Sequence, residues 1–103
     1  MNELERMLAA MKYRDERTVA SGSVADSRYL VRVTRSGGSN RMTASVSDED
    51  GLLSMAQYRL SGSDPDELSV ADALGNPLGG GDERMVMARV ALDAITILTK
   101  ATA

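Results

Sequence analysis

The chain contains no cysteine and no histidine among its 103 residues. Without cysteine there is no disulfide, no thiolate metal ligand and no thiol nucleophile. Such usage fits a reducing compartment, and a cytoplasmic address is the expectation. Without histidine, the commonest general base and metal ligand is missing. No Ser-His-Asp or Cys-His constellation can be built. The chain is therefore expected not to be an enzyme, and to need neither cofactor nor metal. There is no apolar run of the roughly 18 residues that a membrane span requires. The opening stretch MNELERMLAAMKYRDER mixes acids and bases and lacks the apolar centre of a signal peptide.

Aromatic residues are scarce too. Phe and Trp are absent, leaving Tyr13, Tyr29 and Tyr58. The core must be built from Leu, Val, Ile, Met and Ala. Such side chains bury less area each than aromatic ones, so a domain this small gains little margin from its core. Association with another chain is one remedy.

What is present reads as one small α+β domain over residues 1–103. Its expected order is an N-terminal helix, an antiparallel meander of three to four strands, and a C-terminal helix packed on one sheet face. A first helix is predicted from about Asn2 to Arg14, with Leu4, Met7, Leu8 and Met11 on one stripe. From Arg17 to Leu60 the period becomes two. Tyr29, Val31 and Val33, then Met42, Ala44 and Val46, then Ala56, Tyr58 and Leu60 fall on one face. Leu30, Arg32, Arg41, Met55, Gln57 and Arg59 fall on the other. SGGSN and DEDG supply turns, and RTVASGSV supplies a possible fourth strand. SGSDPDE reads as a loop. Residues 68–78 carry Gly-Asn-Pro turn chemistry and are consistent with either a hairpin or a loose acidic loop.

The last helix is predicted over Asp82–Thr99, with Asp82 as its N-cap. Its polar residues form a narrow arc, and apolar ones cover most of the remaining circumference. A small sheet cannot cover that much apolar surface. The first helix or a second copy of the chain must take the rest, with Leu92 and Ile97 the candidate dimer face.

Three features suggest a ligand or a binding surface, and each has a simpler reading. Gly79, Gly80 and Gly81 precede the last helix, as in a phosphate-binding loop. The following residues are Asp82, Glu83 and Arg84, so the lysine and hydroxyl of a P-loop are missing and carboxylates stand where phosphate would sit. A linker with a helix cap is the expected reading. VSDEDGLLSMAQ places Gly51 at the sixth position of a calcium loop, but Val46 and Gln57 stand where the first ligand and the bidentate glutamate belong. A hairpin turn is expected instead. The seven methionines are expected mainly to fill the core.

Charge is the most informative feature. The formal net charge is −3. Between Ser27 and Ser47 there are four arginines and no acid; between Asp48 and Asp93 there are ten acids and three arginines. The predicted strands put Arg28, Arg32, Arg41 and Arg59 on the outward sheet face. Arginine there suits a docking surface for something acidic, since its planar fork pairs carboxylates bidentately. The simpler reading is a solvated face. Asp48, Glu49 and Asp50, and Asp64, Asp66 and Glu67, form acidic loops that fit a basic groove on another protein. The simpler reading there is ordinary turns.

The order helix, three antiparallel strands, helix resembles the double-stranded-RNA-binding domain. The basic cluster that opens that family's second helix is replaced here by DERMVMA, so the resemblance does not extend to its function. Small size, acidity and the lack of catalytic residues are similar to phage-encoded anti-defence proteins such as anti-CRISPRs. That similarity is one of general character. The expected function is a non-catalytic protein-binding module, an inhibitor or adaptor that occupies a surface of a larger protein partner. The alternatives are a homodimeric chaperone or adaptor for secretion or assembly, and a weak nucleic-acid binder. Nucleic acid is disfavoured by the net charge and by the absence of aromatics for base stacking on the arginine face.

Overall fold

The computed structural model describes residues 3–14, 19–22, 30–35 and 40–102. The elements follow as α1 (Glu3–Ala10), β1 (Lys12–Arg14), β2 (Val19–Gly22), β3 (Leu30–Arg35), β4 (Arg41–Asp48), β5 (Gly51–Asp64), β6 (Glu67–Asp72), β7 (Pro77–Gly81) and α2 (Glu83–Thr102). Each strand pairs antiparallel with the next, so the sheet order equals the sequence order. The two-layer α+β arrangement is the expected one. The sheet is larger than the three to four strands predicted: the described residues form seven.

Each added strand has a local reason. The first helix stops at Ala10 rather than Arg14, because Lys12–Arg14 pair with β2, Lys12 opposite Ser21 and Arg14 opposite Val19. Strand pairing overrides the good intrinsic helix propensity of Lys12 and Arg14. The SGSDPDE stretch is not a loop. β5 runs on to Asp64 and turns directly into β6, with a bulge between Ser61 and Asp64. Gly62 makes this possible: its φ is +111°, and a Cβ there would lie 2.6 Å from the carbonyl oxygen of Glu67.

Residues 68–78 form most of a hairpin, which resolves the ambiguity left by composition. Asp72 closes its turn. The Asp72 Oδ1 accepts from the backbone N–H groups of Leu74 and Asn76, each at 2.9 Å, and Oδ2 accepts from Asn76 Nδ2 at 3.0 Å. The three consecutive glycines are strand β7 and not a linker. A Cβ on Gly80 would lie 2.5 Å from the Leu68 carbonyl oxygen, so the close β6–β7 approach selects glycine. Asp82 then caps α2 as expected, its Oδ1 accepting from the Met85 N–H at 2.9 Å.

The alternation read from the sequence holds across β3–β5. Val31, Val33, Met42, Ala44, Val46, Tyr58 and Leu60 are buried. They meet Met7 of α1 and Met11 just after it, Leu68 and Val70 of β6, and a stripe of α2 made of Val86, Met87, Ala88, Val90, Ala91 and Ala94. The alanines let α2 lie close on the sheet. α2 packs across β3 to β7, and α1 packs against α2. One flank of the apolar last helix is thus covered by the first helix.

Candidate functional site

β3, β4 and β5 lie side by side, and their outward positions form one polar face. Arg32, Arg41 and Arg59 are all exposed on it. Arg41 and Arg59 are direct cross-strand partners, while Arg32 stands opposite Ser45. At ordinary strand spacings Arg32 is about 14 Å from Arg41. The face therefore carries an arginine pair and a separate arginine. The positions between them are Thr34, Thr43, Ser45 and Gln57, with exposed Met55 opposite Ser45; the acids of these strands, Asp48 and Asp64, stand at their turn ends. Arg28 and Tyr29 lie outside the described residues.

Arg35, the remaining member of the basic stretch, does not join this face. Its Nη1 donates to Glu83 Oε1 at 2.8 Å, tying the end of β3 to the first turn of α2. A carboxylate at that helix end is also favoured by the helix dipole.

Two guanidinium groups directly opposite on neighbouring strands repel. Arg41, Gln57, Tyr58, Arg59 and Ala73 line a shallow depression of about 200 Å³ beside that pair. A carboxylate entering it would meet both arginines and reverse the local repulsion.

The acidic residues do not form one surface. Asp48, Glu49 and Asp50 close the β4–β5 turn, with the Asp50 N–H donating to Asp48 Oδ1 at 2.8 Å. Asp64, Asp66 and Glu67 close the β5–β6 turn, with the Asp66 N–H donating to Asp64 Oδ1 at 2.9 Å. These turns sit at opposite ends of β5. In each, one aspartate carboxylate organises the turn.

The candidate dimer residues also separate. Leu92 is half-buried against the core, and Ile97 is exposed. Ile97 belongs to a feature that sequence reading missed. A groove of about 430 Å³ is lined by Met55, Gln57, Tyr58, Leu74, Asp93 and Ile97, among others. At its wall the Tyr58 hydroxyl donates to Asp93 Oδ2 at 2.8 Å. Burial, that hydrogen bond and the charges of Asp93 and Asp72 hold the Tyr58 hydroxyl far above its ordinary pKa. The turn hydrogen bonds, led by that from the Asn76 side chain, hold Asp72 below the usual carboxylate value.

Among the described residues no cluster of three or more acids is placed to hold a metal ion, and no helix is long and apolar enough to cross a membrane. No protein-family model matches the chain, and none of the curated proteins or solved structures does.

Proposed function

We propose that this protein is a non-catalytic binding module that acts by docking the outward face of β3–β5 onto an acidic protein surface. The observation that carries this reading is the grouping of exposed Arg32, Arg41 and Arg59 on one sheet face with no acid at the positions between them. Arginine pairs carboxylates bidentately and loses little freedom on doing so. The short Thr and Ser side chains around it leave the face low enough for a partner to approach closely. An inhibitor or an adaptor works this way, by occupying a surface rather than by chemistry.

The test compares the protein with its Arg32→Glu/Arg41→Glu/Arg59→Glu variant in affinity capture from cell extract, with circular dichroism as a check on folding. All three positions are exposed, so the fold is expected to survive. The reading predicts captured proteins that are lost from the folded variant. An identical set of captured proteins would contradict it. Duplex DNA and RNA serve as controls: binding to either that falls steeply with added salt would favour the nucleic-acid alternative.

A further inference from the structure

β5 is fourteen residues long and β6 is six. β6 pairs from Glu67 opposite Asp64 to Asp72 opposite Tyr58, so it covers only the C-terminal half of β5 on that side. Among the described residues, no strand lies beside positions 51–57 where β6 would continue. The groove of about 430 Å³ occupies that place. Its long wall is the edge of β5, its end is the β6–β7 turn, and α2 contributes Asp93 and Ile97.

Three of the four large hydrophobic residues exposed on the described surface line this groove. They are Met55 at 60%, Leu74 at 88% and Ile97 at 47% exposure. An open strand edge bordered by apolar side chains is a template for another strand. The two carboxylates at the groove are already engaged, Asp72 by its turn and Asp93 by Tyr58.

Charge indicates which strand fits. The acidic turn Asp48, Glu49 and Asp50 leads directly into the uncovered half of β5, and the pair Arg41/Arg59 stands at the far end of that half. In an antiparallel pairing of this segment with itself, the start of one copy lies beside the end of the other. The acidic turn of each chain is thereby brought to the arginine pair of its partner, twice, about a two-fold axis. Such an interface is self-complementary, as an isologous dimer requires.

We propose that the protein is a homodimer joined through the N-terminal halves of two β5 strands, with Glu49 and Asp50 of each chain meeting Arg41 and Arg59 of the other. The two sheets then form one continuous sheet, and Ile97 lies at the junction of the two helical layers. This rests on the reading above, that the arginine face accepts an acidic protein surface, and names a second copy as that surface.

The experiment is solution mass by light scattering over a dilution series. The expected mass at tens of micromolar is near twice the 11.0 kDa of the chain. Ile97→Lys with Met55→Lys, Arg41→Glu with Arg59→Glu, and Glu49→Lys with Asp50→Lys should each give folded monomers, since all six positions are exposed. Mixing the last two variants should restore a dimer, because each reversed site then faces its reversed counterpart. A wild-type monomer overturns the proposal, as does a dimer that persists through all three variants. A monomer that still captures proteins in an arginine-dependent way overturns the dimer while leaving the proposed function standing. A dimer in which the charge-reversed mixture fails to re-form, although each variant is folded, overturns the assigned contact.

Discussion

Tyr58 joins the core to the surface. It is among the largest fully buried side chains of those described, yet its hydroxyl reaches the half-buried Asp93 across 35 positions of sequence. Tyr58→Phe keeps the packing and removes the donor. A hydrogen bond to a charged acceptor is worth about 1.5–3 kcal/mol, so the urea midpoint should fall by a corresponding amount with the m-value unchanged. The phenol also links stability to pH. Its folded-state pKa lies above its unfolded value, so this contribution is intact below the ordinary tyrosine value of about 10 and is lost as pH rises beyond it. A pH titration followed by phenolate absorbance should show a tyrosine that ionises only as the fold is lost. That Tyr58 points inward was legible from the alternation of Ala56, Tyr58 and Leu60. Its partner was not, since no local pattern relates β5 to the middle of α2. Arg35 shows the same limit: its place in a basic run gave no sign that it would be claimed by Glu83.

The hairpin of β6 and β7 turns on a single carboxylate. Asp72 accepts from its own turn through both oxygens, and these bonds favour its charged form. Its folded pKa is depressed, so its contribution is present above the ordinary carboxylate value and is lost as pH falls through the lowered one. Amide exchange in β6 and β7 should therefore accelerate selectively at acid pH, and Asp72→Ala should reproduce that acceleration at neutral pH. Gly80→Ala should act on the same element by forcing β7 away from Leu68. Overpacking of this kind costs typically about 1–3 kcal/mol, readable in a thermal melt. The turn itself was legible in Gly-Asn-Pro. The strand after it was not, because glycine is a poor strand former and is selected here by a carbonyl oxygen that becomes its neighbour only in the folded sheet. The same reason hid the end of β5, where serines, Gly62 and Asp64 look like a loop until β6 pairs with them.

Over the whole molecule, charge and apolar surface are both unevenly placed. The sequence showed a basic stretch followed by an acidic one, and the structure turns Arg32 and Arg41 of the first and Arg59 of the second onto one sheet face while sending the acidic turns to opposite ends of β5. The arginine face was legible because a period of two assigns faces without knowledge of the fold. The groove was not, because it exists only where β6 is shorter than its neighbour. The excess of apolar residues on α2 did foretell a second covering surface. α1 supplies one, and exposed Ile97 marks where another would sit.

The arginine face is the central claim, and in-cell photo-crosslinking tests it most directly. A photoreactive residue at Thr43, in the middle of that face, would be compared with one at exposed Glu5 on α1. The account predicts a discrete protein adduct from position 43, absent from position 5 and lost when Arg32, Arg41 and Arg59 are made glutamate. Adducts from position 5 alone, or an adduct at position 43 that survives the three substitutions, would contradict it.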